Sequence, residues 1–333
     1  MTNHTSIGVL GGGAWGTALA QLIAQGSRKV VLWALEKEVV REINEKNSNT
    51  KFLPSISLSQ NISATNDISD LTDLDLILAV TPAQHLRSTL CQLKRPPLDL
   101  ILCSKGIETS TGLFMHDVAR EILPESNVAV LSGPTFANEV AVGLPTAVTL
   151  ACSGGAKQWS RLISAVARPN FRPYFTADLI GAEIGGSIKN VLAIACGVVE
   201  GLKLGQNARA ALIARGYAEM LRFGDALGGN PETLSGLCGF GDLVLTCTSS
   251  SSRNFSLGHS LGEGLSVGDV VSGKETVAEG LYTAPGLLRL AKKHKIEMPI
   301  VEAVVAILEG ADPSNIVSEL LSRPLTTEKG EPV

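Results

Sequence analysis

Residues 7–18, Ile7-Gly8-Val9-Leu10-Gly11-Gly12-Gly13-Ala14-Trp15-Gly16-Thr17-Ala18, run an apolar strand into a glycine turn that opens directly onto a helix. Gly11, Gly13 and Gly16 stand at the G-x-G-x-x-G spacing. The first glycine permits the tight turn, the second lets a phosphate approach the backbone, and the third lets helix pack on strand. Free N–H groups at the start of such a helix face an anion. Glycine triplets also make plain flexible turns, but the strand-like run before this one and the periodic helix expected over residues 14–25 supply the context of a dinucleotide pyrophosphate socket.

Working outward, strands are expected at 29–34, 62–65, 76–80, 100–103 and 128–131, with helical patterns at 36–47, 84–91 and 112–122. This alternation predicts a mostly parallel sheet with helices on both faces. Residues 145–152, 159–167 and 171–175 add one strand-helix-strand unit. Beyond Asp178 the texture changes to long helical patterns at 183–202, 208–223, 284–293 and 300–308. The expected fold is α/β: an N-terminal Rossmann-like doubly wound sheet over residues 1–180, binding the dinucleotide, and a C-terminal all-helical substrate-binding domain over 181–333. The Gly- and Ser-rich stretch 228–273 is too polar and broken for one continuous helix. Ligands of open α/β sheets lie beyond the carboxyl ends of the strands, so a cleft between the two domains is where the chemistry is expected.

A chain of 333 residues exceeds the usual single-core size, and 44% hydrophobic with 18% charged residues marks a folded protein. A formal net charge of -4, without a dense Lys/Arg cluster, argues against a nucleic-acid surface. The opening Met1-Thr2-Asn3-His4 lacks a basic region leading into an apolar core, so no signal peptide is expected and the location is read as cytoplasmic. The longest apolar stretch, centred on 191–199, reads as a buried helix far short of a membrane span. The 6 cysteines are scattered without a C-x-x-C pair, which suits reduced, mostly buried thiols and gives no metal site.

Several polar residues interrupt this apolar framework. Val80-Thr81-Pro82 ends a strand and reads either as an ordinary capped turn or as backbone contact with the dinucleotide. Lys105, in Ser104-Lys105-Gly106, follows the strand at 100–103 and reads as a surface cation or as one entering the cleft to meet an anionic substrate. Ser132-Gly133-Pro134-Thr135-Phe136-Ala137 repeats that arrangement, as a capped turn or as a clamp on a small oxygen-rich ligand. Lys189 is a single charge among Gly185-Gly186-Ser187-Ile188 and Asn190-Val191-Leu192-Ala193 on a long helix. A lysine there either snorkels at a rim or, desolvated, exchanges protons as general base in alcohol oxidation and acid in carbonyl reduction. Asp242 is a candidate orienting carboxylate for Lys189 and Lys105, and Ser252-Arg253-Asn254 offers a hydroxyl, a forked cation and an amide suited to phosphate. His85, His116, His259 and His294 have no evident nucleophile partner and read as structural or exposed.

These segments resemble the NAD(P)-dependent sn-glycerol-3-phosphate dehydrogenases of the bacterial, soluble type. The resemblance spans roughly residues 5 to 325 and rests on GVLGGGAWGTALA, FLPSISLSQNISAT, SKGIE, LSGPTFANEVAVGLPTAV, IKNVLAIACGVVEGLKLG, GFGDLVLTCTSSSSRNFSLG and VAEG. It implies that Trp15, Ala137 and Glu279 contact the cofactor, NAD or NADP, and that Lys105 lies near both cofactor and substrate. It implies further that Gly133 and Thr135 contact substrate, that Lys189 is the catalytic proton acceptor, and that Asp242, Ser252, Arg253 and Asn254 bind substrate. Arg253 and Val277 also match positions associated with the cofactor. The implied reaction interconverts a small phosphorylated triose, dihydroxyacetone phosphate, and sn-glycerol 3-phosphate, the backbone of phospholipids. A homodimer is the assembly to expect, although no residue pattern marks its interface.

One departure bears on the cofactor. The family often carries a basic residue after the second strand, where this chain reads Leu32-Trp33-Ala34-Leu35-Glu36. Glu36 can accept from a ribose hydroxyl and repel a 2′-phosphate, or simply face solvent at a helix start, which tilts the reading toward NAD. Lys37 and Arg41 are the alternative phosphate partners. Oxidation of another small hydroxy acid and, from a different class, dinucleotide sensing without turnover are the competing functions.

Overall fold

The computed structural model describes residues 6–25, 28–272, 278–324 and 327. Two compact units divide it, Met1–Ser187 with Gly224–Asp242, and Ile188–Phe223 with Leu243–Val333.

The first unit opens with β1 (Ser6–Leu10), α1 (Ala14–Ala24), β2 (Lys29–Trp33), α2 (Lys37–Lys46), β3 (Ile62–Thr65) and β4 (Leu76–Ala79). It continues through α3 (Leu86–Leu90), β5 (Asp99–Leu102), α4 (Met115–Ile122), β6 (Asn127–Ser132), α5 (Ala137–Val142), β7 (Thr146–Cys152), α6 (Gly155–Val166) and β8 (Phe171–Thr176). One sheet holds all eight strands in the order β3-β2-β1-β4-β5-β6-β7-β8. Strands β1 to β6 are parallel, β7 runs against β6, and β8 is parallel to β7. Strands β4 and β5 are buried at every position, which is why, Asp99 apart, they read as continuous apolar runs and not as alternation. The chain reverses its direction of travel across the sheet between β1 and β4, the switch point at which such sheets take ligands. Parallel register aligns Leu10 with Ala79, Ala79 with Leu102 and Leu102 with Val130, so the loops that follow these strands emerge along one edge.

Polar ties lock one helix to this sheet and another to the helix that follows it. Asp99, fully buried at the start of β5, receives Arg161 of α6 through Nε at 2.9 Å and Nη2 at 2.8 Å. His116 of α4 meets the Glu183 carboxylate at 2.5 Å through Nδ1, and its backbone N–H donates to the same carboxylate at 2.9 Å. Burial works to lower the imidazole pKa, but the Glu183 carboxylate prevails and holds it above its ordinary value. The helix expected over 112–122 begins only at Met115, because residues 108–112 close a turn and Phe114 bridges back to Ile107.

Past β8 the described chain is helical: α7 (Leu179–Gly201), α8 (Gly205–Leu227), α9 (Pro231–Ser235), α10 (Asp242–Thr248), α11 (Arg253–Gly262), α12 (Val267–Val271), α13 (Glu279–His294), α14 (Pro299–Leu308) and α15 (Pro313–Leu321). The described part of the polar stretch, 228–272, is thus cut into short helices. The apolar segment taken as far short of a membrane span is longer than expected. Helix α7 has 23 residues and is apolar enough to cross a membrane by length and composition, yet its most apolar window is buried throughout, as in the core helix of a globular protein.

In the second unit α7 and α11 meet through glycines. A Cβ on Gly197 would stand 2.0 Å from the Phe255 carbonyl oxygen, and one on Gly258 would stand 1.9 Å from that of Ile194. Gly201 and Gly262 repeat the pattern one turn on, with 2.3 Å to the His259 oxygen and 2.5 Å to that of Val198. Backbone therefore packs on backbone, a separation that side chains larger than hydrogen forbid.

Candidate active site and cofactor cradle

The glycine turn is built for close approach. Gly11 has φ +131°, a conformation that favours glycine, and a Cβ there would stand 3.0 Å from the Val80 backbone. A Cβ on Gly16 would stand 1.8 Å from the Gly11 carbonyl oxygen, so α1 starts pressed against β1. Gly13, the N-cap of α1, faces open space: a Cβ there meets nothing within 4 Å. This is the arrangement a pyrophosphate requires, with exposed N–H groups at a helix start and no side chain in the way. Trp15 packs with Ala137 against the small cluster Ala18, Leu53 and Ala141, so two positions implied to contact the cofactor are neighbours. Buried Trp15 Nε1, Thr81 Oγ1 and Ser132 Oγ have no hydrogen-bond partner among the described residues. Thr81 and Ser132 lie at the carboxyl ends of β4 and β6, where a bound dinucleotide or substrate would meet their hydroxyls.

Lys105 is fixed by its loop before it meets anything charged. Ser104 Oγ donates to the Thr81 carbonyl at 2.5 Å. The Gln84 amide donates to Ile107 O at 2.8 Å and accepts from Thr109 N at 2.9 Å, while Arg87 chelates buried Glu108 through Nε and Nη2, both at 2.9 Å. The Lys105 ammonium then donates to Asp242 Oδ2 at 2.7 Å and to the Gly133 carbonyl at 3.2 Å. The same carbonyl accepts from Thr135 Oγ1 at 3.2 Å. Lys105, Gly133, Thr135 and Asp242 therefore form one cluster in the first unit. Gly133 takes φ +152°, and a Cβ there would press on Val148 Cα at 3.0 Å, so the turn that aims this carbonyl needs glycine.

In the second unit the Lys189 ammonium, 7% exposed on α7, donates to Thr246 Oγ1 of α10 at 3.1 Å. Ser252 caps α11, its hydroxyl oxygen accepting from Phe255 N at 3.3 Å. Arg253 is exposed. Buried Asn254 donates through Nδ2 to Asn190 Oδ1 at 2.9 Å and accepts at Oδ1 from Gly280 N at 2.9 Å. The amide therefore joins α7, α11 and the first turn of α13, where Glu279 is the first residue. Val277 lies outside the described residues. Asn49, Gln84, Asn190 and Thr246 escaped the sequence analysis, since an isolated amide or hydroxyl carries no spacing signal.

The N-terminal model of the NAD-dependent glycerol-3-phosphate dehydrogenases matches residues 6–157, and the C-terminal model matches 178–318. The chain belongs to that family. A glycerol-3-phosphate dehydrogenase [NAD(P)+] of Novosphingobium aromaticivorans is 64% identical over 97% of this chain and 98% of its own length. Its counterpart in Erythrobacter litoralis is 62% identical over 97% of each chain. The crystal structure of a glycerol-3-phosphate dehydrogenase from Coxiella burnetii superposes with a TM-score of 0.91 at 41% identity, covering 96% of this chain and 99% of that one. Family membership bears out the expected α/β fold with its helical C-terminal part, and the dinucleotide cofactor.

Proposed function

We propose that this chain reversibly transfers hydride between NAD(P)H and dihydroxyacetone phosphate, forming sn-glycerol 3-phosphate for glycerophospholipid synthesis, with Lys189 as acid in reduction and base in oxidation. The observation that carries the assignment is an ammonium buried on α7 and hydrogen-bonded to a hydroxyl, a placement expensive to maintain for packing alone. Within the first unit, Gly186 lies close to the Lys105 stem: a Cβ there would be 3.4 Å from Lys105 Cγ. When bound, the reduced dinucleotide supplies the hydride. Lys189 Nζ gives its proton to the ketone oxygen, and Lys105, anchored by Asp242 and the Gly133 carbonyl, offers positive charge to the developing oxyanion. Thr135 positions the triose, and Ser252, Arg253 and Asn254 face its phosphate, the exposed Arg253 fork supplying the charge.

The cofactor is held by Gly11, Gly13, Trp15, Gly16, Lys105, Ala137, Arg253, Val277 and Glu279, residues 1–180 serving the dinucleotide and 181–333 mainly the triose. Leu35, 76% exposed after β2, presents no charge, and Glu36 stands at the start of α2 without capping it, which supports NADH over NADPH. The proposed setting is a cytoplasmic homodimer. Following cofactor absorbance on adding dihydroxyacetone phosphate tests the whole reading. Turnover is expected, with higher kcat/KM for NADH than NADPH. Turnover of a small hydroxy acid in its place, or tight binding of cofactor without oxidation, would replace it with one of the competing functions.

A further inference from the structure

The segment FLPSISLSQNISAT and the residues just before it have no part in the chemistry above, yet they enclose the glycine turn. Asn49 is 0% exposed in the loop between α2 and β3. Its Nδ2 donates to the Gly12 carbonyl at 2.9 Å and to Thr17 Oγ1 at 2.8 Å, and Thr17 Oγ1 donates to the same carbonyl at 3.2 Å. Oδ1 accepts from Phe52 N at 3.3 Å, so the side chain can stand only one way round, with its NH2 toward the carbonyl. Gln21 of α1 holds the rest of the loop, accepting from Ser59 N at 2.7 Å and donating to Ser57 O at 3.4 Å.

We infer that Asn49 is a positioning residue for the dinucleotide: by pinning the Gly12 carbonyl inward it aims the Gly13 N–H at the pyrophosphate. In a trans peptide the carbonyl and the following N–H point in opposite directions, so fixing one fixes the other. Gly13 itself leaves open space for the phosphate, since a Cβ there would meet nothing within 4 Å. The need for a pin follows from the glycines themselves. A peptide flanked by two glycines can flip without steric penalty, and the flipped peptide would turn a carbonyl oxygen toward the phosphate. Gly12 cannot be replaced to stiffen the turn, since a Cβ there would lie 2.4 Å from Ala34 Cβ. The stiffness therefore has to come from a side chain elsewhere in the chain.

The inference rests on the cofactor reading above, and the experiment separates the two. Fluorescence titration with NADH, steady-state kinetics and thermal melting are compared for the wild type, Asn49→Ala and Asn49→Asp. The Kd and KM for NADH are expected to rise about tenfold in Asn49→Ala, the worth of one buried hydrogen bond. They should rise further in Asn49→Asp, whose carboxylate confronts the Gly12 carbonyl, while kcat at saturating NADH and KM for the triose phosphate stay within about twofold. Variants that melt earlier but bind NADH as the wild type does would overturn the inference. Should the alanine variant fail to fold, an unchanged Kd in the near-isosteric Asn49→Asp overturns it equally. A wild type that binds neither NADH nor NADPH instead refutes the cofactor reading and this inference with it.

Discussion

Lys105 and Lys189 reach their places by different supports. The Lys105 ammonium donates to Asp242 Oδ2 at 2.7 Å from a loop held by Ser104, Gln84 and Arg87, and the Lys189 ammonium, buried on α7, donates to the Thr246 hydroxyl at 3.1 Å. The proposed proton transfer is assigned to Lys189. In Lys189→Met, kcat is expected to fall at least 100-fold, roughly the contribution of a positioned general acid, with NADH affinity unchanged by titration. A variant turning over at near-native rate would remove Lys189 from the chemistry. Both lysines were legible in the sequence because each interrupts an apolar context. Asn49, 37 residues from the carbonyl it holds, was not, because only the folded chain brings an amide to that peptide.

At the scale of elements, the legible part was what periodicity and punctuation encode. All eight strands stand within a residue of the expected runs, five of them (β1 and β4 to β7) where the run gives way to glycine, proline or serine, and β6 extends one residue either side of its expected core, Asn127–Ser132. Short helices α9 to α12 were illegible as helices because they are held by contacts with their neighbours and not by an amphipathic stripe of useful length. The α7–α11 crossing is of this kind: Gly197 and Gly201 fall within a helix that was expected, Gly258 and Gly262 within a stretch read as broken, and the four act together as an interface. Gly258→Ala forces a methyl onto the Ile194 carbonyl, and we expect a loss of about 1–3 kcal/mol or more, read from denaturant melts. Glu219 on α8 makes another such contact, accepting from Ile300 N at 2.7 Å at the start of α14. Burial pushes its carboxyl up to about 7, against the opposing pull of the Ile300 and Val301 N–H groups and of Arg222. A carboxyl raised on folding contributes stability that is full below its unfolded pKa and lost as pH climbs through the folded value. Between about pH 5 and 8 the wild type should therefore lose up to about 3 kcal/mol relative to Glu219→Gln, which keeps one acceptor and cannot ionise. Parallel melting curves for the two proteins across that range would count against a raised carboxyl.

Across the whole molecule, the division into units cuts through two continuous helices. Helix α7 belongs to the first unit up to Ser187 and to the second from Ile188, and α8 passes from the second to the first at Gly224. Neither unit can unfold without breaking a helix it shares. We expect a single calorimetric transition, with equal calorimetric and van't Hoff enthalpies, raised as a whole by NADH. Two resolved transitions, only one of them moved by NADH, would contradict this. The length of α7 has a consequence at an earlier moment in the protein's life. As it leaves the ribosome, before later partners such as α10, α11 and α13 exist, this 23-residue segment meets the cell's insertion machinery on hydropathy alone. The charges of Glu183 and Lys189 weigh against its insertion, a lysine near the centre of such a segment by about 3 kcal/mol. Lys189→Met removes that safeguard together with the proton donor, so a poor yield of this variant would report on its synthesis. Lys189→Gln, polar but unable to donate a proton as an ammonium does, is the companion that separates the two effects.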